Sequence, residues 1–390
     1  MEWLRPGCRS SAAELEMSCQ AVGFAQVSVV HAAETIRGGV ATILRQLLEH
    51  QRSSGRYRVH CVVPQDQRDD LENLSADVST FRRTGRNAVS LLCFGIAFVV
   101  AVWRTNPDIV HLHSTFAGFI GRLMLVPLWP WRRPSVVYCP HAFAFLMPSG
   151  MWKTRAYALA ERALQLLTDA VVCISRYEHD TAVEKGLDPA TLHVILNGVQ
   201  AMQAPPGGTT DPFPPDALKV LFVGRFDRQK GFDVLIDAMS QLEGCGVHLI
   251  AVGGGVLEAD AVHRPAAANV EFAGWHDRQG ISRYLAYADV LVVPSRWEGF
   301  GLVVVEAASV GVPTLGSRTC SLPEIVQDGI GGLLFEEGSS SELARLLRST
   351  PRERWARMGH NARVNYQSAF TSLRMNTEVE VIYAKIIRSA

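Results

Sequence analysis

The chain has 390 residues and no net formal charge, and 48% of its residues are apolar while 19% are charged. This length exceeds what one ordinary hydrophobic core organises and predicts two domains. The apolar fraction excludes intrinsic disorder, and the charge balance excludes a general nucleic-acid-binding surface.

The first strand-like run begins near Phe24, so residues 1–20 are predicted to form a loose tail. This tail lacks the apolar segment of a secretory signal. The eight cysteines are spread singly, without a CxxC pair, which favours a reducing compartment. Together these features predict a cytoplasmic protein.

Residues 21–200 alternate strand-like apolar runs with helix-length segments. Continuous apolar runs are typical of parallel strands that are buried on both faces. Strands that alternate with helices indicate a Rossmann-like α/β domain. The predicted strands cover residues 24–30, 57–63, 107–113, 135–140, 169–175 and 192–198.

Residues 88–103 form the most hydrophobic run of the chain. The run is shorter than the roughly 20 residues that span a bilayer, so it predicts a buried or surface-docked helix. Around it, residues 80–133 contain seven arginines and one acid, Asp108. This positive excess predicts contact with the inner membrane surface or with a diphosphate-bearing substrate. The arginines are Arg82, Arg83, Arg86, Arg104, Arg122, Arg132 and Arg133.

A linker is predicted at residues 201–216, which contain five prolines and two glycines. A second alternation of strands and helices follows and predicts another Rossmann-like domain over residues 217–370. Residues 371–390 have a helical pattern. Paired domains of this kind bind ligands beyond the carboxyl ends of their strands, so we expect the site in the cleft between them.

Glu298 and Glu306 flank a glycine-containing turn that leads into an apolar helix. Gly299 and Gly301 let the backbone approach a ligand closely, and the start of the helix suits a phosphate. Two carboxylates would repel a phosphate, but they accept hydrogen bonds from hydroxyl groups. A phosphate together with several hydroxyls describes a sugar nucleotide.

The spacing Glu298-x7-Glu306, with Gly-Phe-Gly between the glutamates, resembles the signature of retaining glycosyltransferases of family 4 with the GT-B architecture. Residues 220–239 and 322–335 resemble two further segments of that family. The resemblance implies two Rossmann-like domains that face each other across a cleft. It also implies that the C-terminal helix crosses back to the first domain.

Arg225 and Lys230 follow a predicted strand at Gly224 and come directly before a helix. A guanidinium and an ammonium at this position can bind phosphate oxygens. Negative charge grows on a leaving diphosphate during sugar transfer, so fixed cations stabilise the transition state more than the ground state. We therefore expect both side chains to act in catalysis.

The resemblance assigns further roles to matching residues. It places Glu298 at the transferred sugar, as a catalytic residue, and Glu306 at the ribose. It places the Gly38–Gly39 pair, which opens the first helix, against the diphosphate or the sugar. The remaining expected donor-binding residues are Gly224, Arg225, Lys230, Gly253, Gly299, Phe300, Gly301 and Leu302.

His113 and His141 are candidates for the acceptor side of the cleft. The resemblance identifies His141 with a catalytic histidine that contacts a sugar hydroxyl, although alanine stands where glycine usually follows. His111 and His113 point to one face of a strand, and the sequence offers no evident third metal ligand. The chain also has no Asp-x-Asp motif, so neither a metal nor a cofactor is predicted.

These features predict a retaining glycosyltransferase. It would move a hexose from a nucleoside diphosphate sugar, with UDP favoured, to a glycan or a polyprenyl-diphosphate-linked saccharide. The resemblance implies surface polysaccharide synthesis at the inner face of the cell membrane. A sugar-nucleotide epimerase and a non-catalytic sugar-nucleotide-binding protein are alternatives. An NAD-dependent dehydrogenase is disfavoured because the glycine run at residues 253–255 lacks the dinucleotide fingerprint.

Overall fold

The structure, a computed structural model, describes residues 26–71, 77–85, 87–148, 150–205, 209–255 and 267–389. The predicted tail at residues 1–20 and Arg86 lie outside these described residues. Two parallel sheets, each flanked by helices, form two Rossmann-like domains. The predicted fold class is therefore confirmed.

In the residues that the structure describes, the first domain contains seven parallel strands. In chain order they are β1 (Val27–Ala33), β2 (Tyr57–Pro64), β3 (Val78–Phe81), β4 (Ile109–His113), β5 (Ser135–Cys139), β6 (Ala170–Cys173) and β7 (Leu192–Val194). Across the sheet their order is β3-β2-β1-β4-β5-β6-β7. The helices of this domain are α1 (Gly39–Ser53), α2 (Ala88–Thr105), α3 (Thr115–Leu125), α4 (Met151–Gln165) and α5 (Arg176–Glu184).

The second domain contains six parallel strands. They are β8 (Leu218–Arg225), β9 (Val247–Gly254), β10 (Val270–Gly274), β11 (Val290–Val293), β12 (Thr314–Ser317) and β13 (Gly332–Phe335). Their order across the sheet is β10-β9-β8-β11-β12-β13. Its helices are α6 (Phe232–Ser240), α7 (Arg278–Leu285), α8 (Leu302–Ser309), α9 (Leu322–Val326), α10 (Ser340–Ser349) and α11 (Arg352–Ala369).

The C-terminal helix α12 (Ser372–Ser389) leaves the second domain and packs on α1 of the first. Glu380 on α12 lies 2.6 Å from Arg56, and Tyr383 reaches the sheet, where its hydroxyl is 2.7 Å from His111 Nδ1. The chain therefore passes between the domains twice, once near residue 200 and once near residue 371.

Helix α2 presents an apolar face outward. Its inner face packs on the sheet through residues such as Phe94 and Phe98. The outer face exposes apolar side chains at helical spacing, so the helix docks on the domain surface, as the sequence predicted. By length and composition α2 is also the one helix in the described part of the chain that could cross a membrane, a test that core helices also pass. The exposed residues are Val89, Leu92, Ile96, Val100 and Trp103.

The basic patch is smaller than the sequence predicted. Arg122 is buried, with Nη2 2.7 Å from Glu161 Oε2. Arg83 is mostly buried and lies 3.6 Å from Glu34. Counting arginines along the sequence could not reveal these acidic partners, because they come from distant segments. The arginines with surface exposure are Arg82, Arg104, Arg132 and Arg133.

Candidate active site

The carboxyl ends of β8 and β11 bring two predicted residues into contact. Lys230 precedes α6, and Glu298 precedes α8. Lys230 Nζ lies 2.6 Å from Glu298 Oε2, which also accepts a hydrogen bond from Ser295 Oγ at 3.2 Å. An ammonium has three N–H donors, so Lys230 can keep its hydrogen bond to Glu298 and still donate to a ligand oxygen.

Arg225 ends β8 in the same region. Its Nη1 lies 3.0 Å from Asp227 Oδ2, and its Nη2 donates to Gln229 Oε1 at 2.6 Å. The backbone N–H of Arg296 donates to the carbonyl oxygen of Gln229 at 2.9 Å, which joins this turn to the turn that carries Glu298. Arg225 is thus oriented by its neighbours but still partly exposed, and it lies at the same edge of the sheet as Glu298.

Two helices begin at this cleft after glycines with positive φ. Gly301 (φ 87°) precedes α8, and Gly38 (φ 75°) precedes α1. No side chain in the described segments caps either helix. Helix N-termini carry unpaired N–H groups and a partial positive charge, which makes them binding sites for anions. The two helix starts therefore suit a diphosphate.

The domains approach each other closely at these segments. A Cβ added to Gly39 would lie 2.9 Å from Leu302 Cδ1 at the start of α8. A Cβ added to Gly299 would lie 3.2 Å from the Cβ of Ala142 in the loop after β5. The glycines thus permit a narrow cleft, and predicted residues from both domains line it.

Glu306 lies on the second turn of α8 and is mostly buried. The sequence offered no protein partner for this carboxylate, whereas in the structure its Oε1 lies 3.4 Å from Arg278 Nε at the start of α7. Burial raises the pKa of Glu306, and Arg278 opposes that shift. Arg278 was missed because it belongs to no recognisable motif. The role of Glu306 at a ribose stays a prediction.

Two expected donor-binding residues have structural roles. The side chain of Phe300 is buried and packs edge-on against Phe370, so only its backbone can face a ligand. Gly253 pairs with Gly224 across β8 and β9, and a Cβ at Gly253 would collide with the carbonyl oxygen of Gly224. The close approach of two strands explains this glycine without a ligand.

The structure corrects the prediction for His113. This residue is buried, and its Nδ1 lies 3.0 Å from Nε2 of His141, so it reaches the cleft only through His141. The structure also supplies the third metal-ligand candidate that the sequence did not reveal. His31 on β1 joins His111 and His113, and the three have ring nitrogens within 4.8 Å of one another.

Glu178 holds the loop that carries His141. Its carboxylate accepts hydrogen bonds from the backbone N–H groups of Ala142, Phe143 and Ile174 at 2.7 to 3.1 Å. Both His141 (φ 51°) and Ala142 (φ 88°) have positive φ, which is costly for side-chain-bearing residues. Glu178 was not among the predicted residues, although a capping-box spacing, Ser175-x-x-Glu178, gave a signal for it.

Comparisons with known proteins identify the family of this chain. The family model described as "Glycosyl transferases group 1" matches residues 211–365, and the model "Glycosyltransferase Family 4" matches residues 37–202. A protein of Klebsiella pneumoniae, described as an uncharacterized 41.2 kDa protein in the cps region, is 33% identical over 83% of this chain and 90% of its own length. The chain belongs to the family 4 glycosyltransferases.

Solved structures show the same GT-B fold for this glycosyltransferase. Sucrose-phosphate synthase from Thermosynechococcus elongatus is similar with a TM-score of 0.80 at 21% identity, over 94% of this chain and 100% of that one. Anabaena HepE, solved in complex with UDP and glucose, is similar with a TM-score of 0.73 at 18% identity, over 92% and 100% of the two chains.

Proposed function

We propose that this glycosyltransferase is a retaining hexosyltransferase that needs no metal ion. It takes a hexose from a nucleoside diphosphate sugar, with UDP as the favoured nucleotide, as the bound ligands of HepE suggest. The observation that carries the proposal is the convergence of Arg225, Lys230 and two uncapped helix N-termini on one cleft, beside Glu298. Cations and helix N-termini bind a diphosphate, and carboxylates accept hydrogen bonds from sugar hydroxyls.

The cleft suits transfer with retention of the anomeric configuration. The bond between C1 and the diphosphate oxygen breaks, and its electron pair goes to the diphosphate. The acceptor oxygen bonds to C1 on the same face, and its proton passes to a diphosphate oxygen. Arg225 and Lys230 stabilise the growing negative charge, so the step needs no protein nucleophile. Glu298 is already held by Lys230 and is suited to orient the sugar.

The alternatives differ in their products. An epimerase would change a sugar carbon or release free nucleotide without forming a new glycosidic bond. A binding protein would release nothing. Residues of both domains lie at the proposed donor site. Release of a nucleoside diphosphate together with a new glycosidic bond supports the transferase.

Nucleotide binding tests the donor assignment. Among UDP-, GDP-, ADP- and dTDP-sugars, we expect a UDP-sugar to raise the melting temperature most, because a ligand of the native state adds RT ln(1 + [L]/Kd) of stability. Glu306→Gln should weaken UDP binding by about tenfold, since one charge-assisted hydrogen bond contributes about 1.5 kcal/mol. Glu298→Gln should weaken UDP binding less and lower turnover more.

The control for these variants is Glu353→Gln, an exposed glutamate at the start of α11. It should leave both nucleotide binding and turnover unchanged. If Glu298→Gln weakens UDP binding more than Glu306→Gln does, the roles of the two glutamates are exchanged. If none of the sugar nucleotides raises the melting temperature, the proposed donor class is wrong.

The acceptor is proposed to be a glycan hydroxyl on a polyprenyl-diphosphate-linked saccharide in surface polysaccharide synthesis. The similarity to the Klebsiella pneumoniae protein of the cps region supports this setting. The six cysteines in the described residues are all free thiols, which suits a cytoplasmic location. We propose that the protein works as a peripheral protein at the inner face of the cell membrane.

The apolar outer face of α2 supports membrane attachment. It continues onto α3 through Phe119 and Leu123, which are each 40% exposed. Aromatic and cationic side chains border it: Arg132 lies over the ring of Trp103 and Arg133 over the ring of Trp129. Apolar residues flanked by tryptophan and arginine are typical of proteins that lie in the headgroup region of an anionic bilayer.

Vesicle binding tests this attachment. We expect the protein to sediment with phosphatidylglycerol vesicles and less with phosphatidylcholine vesicles, and high salt should weaken the binding. Ile96→Asp should reduce the affinity for vesicles at least about tenfold, because burial of such a side chain contributes about 1.5 to 3 kcal/mol.

The matched control is Val364→Asp, which changes a similarly exposed apolar residue on a helix of the second domain. It should leave vesicle binding intact. Equal binding by wild type and Ile96→Asp would contradict membrane attachment through α2. A dimeric wild type that Ile96→Asp converts to monomers would show that a second copy covers this face instead.

A further inference from the structure

A continuous chain of hydrogen bonds runs from the core of the first domain to His141 at the cleft. Gln51 Oε1 lies 2.9 Å from His31 Nε2, and His31 Nδ1 lies 3.0 Å from His113 Nε2. His113 Nδ1 lies 3.0 Å from His141 Nε2. Four side chains from α1, β1, β4 and the loop after β5 are thus linked in one line, which we call the histidine chain.

The histidines of this chain are neutral at physiological pH. Burial lowers the pKa of His31 and His141 to about 4, and it lowers the pKa of His113 well below the ordinary value. A neutral imidazole carries one N–H, so one of its nitrogens donates and the other accepts. The direction of every hydrogen bond in the chain is therefore fixed as soon as one end is fixed.

Gln51 fixes the direction of the hydrogen bond at the buried end of the histidine chain. Its amide oxygen can only accept, so His31 must carry its proton on Nε2 and accept at Nδ1. The amide nitrogen of Gln51 faces the hydroxyl of Tyr383 at 3.5 Å, and that hydroxyl is 2.7 Å from His111 Nδ1. The helix that crosses back from the second domain thus helps to orient the amide.

We propose that Gln51, His31 and His113 are positioning residues that hold His141 as its Nε2–H tautomer. His113 then donates from Nε2 to His31 and accepts at Nδ1 from His141. His141 is left with an unprotonated Nδ1, which no other described residue hydrogen-bonds. The cleft therefore presents a hydrogen-bond acceptor at this point, and its ligand partner must be a donor such as a sugar hydroxyl.

The identity of that partner as a sugar rests on the proposed function. The assignment of the His141 tautomer does not, because it follows from the hydrogen bonds of the histidine chain. The backbone carbonyl oxygen of His141 would lie 3.8 Å from a Cβ at Gly299. His141 therefore lies beside the turn of the second domain that carries Glu298. An acceptor here and a carboxylate opposite would bind different hydroxyls of one sugar.

A metal ion in the group formed by His31, His111 and His113 is the competing interpretation. Both ring nitrogens of His31 and of His113 already have hydrogen-bond partners. Only Nε2 of His111 is buried without a partner in this group. A metal bound to one nitrogen of each of the three histidines would break the chain at least at the link between His31 and His113, so the hydrogen-bonded arrangement is favoured.

NMR of the full chain with 15N-labelled histidine tests the tautomer directly, without any ligand. We expect His141 and His113 to carry their proton on Nε2, and the His141 signals are identified by their loss in His141→Gln. A proton on Nδ1 of His141, or a charged His141 at pH 7.5, would overturn the proposal. A stoichiometric metal ion in the purified protein, whose removal shifts the signals of His31 and His113, would also overturn it.

Substitutions of Gln51 distinguish a role in setting the tautomer of His141 from a role in packing alone. Gln51→Met removes the terminal acceptor at similar volume and should leave His141 as a mixture of tautomers, with kcat/KM lowered about fivefold, as for one lost hydrogen bond. Gln51→Glu keeps an acceptor and should restore the single tautomer. Gln46 is a buried glutamine of the same helix, and Gln46→Met should change neither the tautomer of His141 nor kcat/KM.

An unchanged His141 tautomer in Gln51→Met would show that Gln51 does not determine this tautomer and would overturn its proposed role. Failure of every sugar nucleotide to bind the wild type would instead contradict the proposed function. In that case the NMR result would still decide the tautomer.

Discussion

Replacing Lys230 or Arg225 with alanine is expected to lower kcat about a hundredfold or more, the effect of removing a fixed charge stabiliser from an active site. Lys230 meets Glu298 at 2.6 Å, and Arg225 is held by Asp227 and Gln229 in the adjoining turn. Both cations are preorganised at the edge where a diphosphate would leave. Initial rates of nucleoside diphosphate release measure the effect.

Arg228→Ala provides the matched control. Arg228 lies between the two cations in the same turn, but its side chain is exposed. This variant should keep turnover within about twofold of the wild type, because solvent screens the charge of an exposed side chain. If Lys230→Ala keeps a near-normal kcat, the assignment of the leaving group to this turn is wrong. A rise in KM alone would mean that Lys230 binds the ground state and the transition state equally.

The free energy of unfolding is expected to fall steeply as the pH drops from 6.5 toward 4. The unfolded chain binds protons on histidine near pH 6.5, whereas burial lowers the pKa of His31 in the folded protein to about 4. Between those values the unfolded state holds more protons, so acid favours unfolding. For His31 alone the loss between pH 7.5 and pH 5 is about 2 kcal/mol.

His111, His113 and His141 act in the same direction, since burial lowers the pKa of each. Glu178 acts in the opposite direction, because burial raises its pKa to about 7 and its proton favours the folded state in acid. Burial also raises the pKa of Glu306 and Glu324 and lowers the pKa of His60 and His193. Three carboxyls thus oppose six imidazoles, so the net change remains a loss.

Urea unfolding at several pH values measures this dependence. His31→Gln should reduce the difference in unfolding free energy between pH 7.5 and pH 5, whatever its effect on absolute stability. His360→Gln, an exposed histidine on α11, should leave the difference unchanged. A stability that stays flat from pH 7.5 to 5 would show that these histidines titrate normally in the folded protein.

The strands were largely predictable because parallel strands buried on both faces leave continuous apolar runs. The exception is β3, whose four residues Val78–Phe81 are short, half-buried and preceded by a polar segment. Edge strands bury only part of their surface, so their sequence carries a weaker apolar signal. The charged residues of the first domain were the least predictable, because burial of Arg122 depends on Glu161 in a different helix.

In the candidate site, local signals were enough to predict that Lys230 and Glu298 lie close together. Lys230 and Glu298 belong to turns that follow neighbouring strands, and the order of strands brings such turns together. The residues that were missed act through contacts between distant segments. Arg278 pairs with Glu306 from another helix, and Gln51 controls His141 only through two intervening histidines. Neither partnership leaves a spacing that can be recognised in the sequence.

A crystal structure of the protein with UDP, or with the nucleotide that stabilises it most, tests the central claim most directly. We expect the diphosphate between Lys230 and the start of α8, within hydrogen-bonding distance of Lys230 Nζ and Arg225, with the ribose at Glu306. A nucleotide bound outside the cleft, or with its diphosphate remote from both cations, would contradict the proposed donor site.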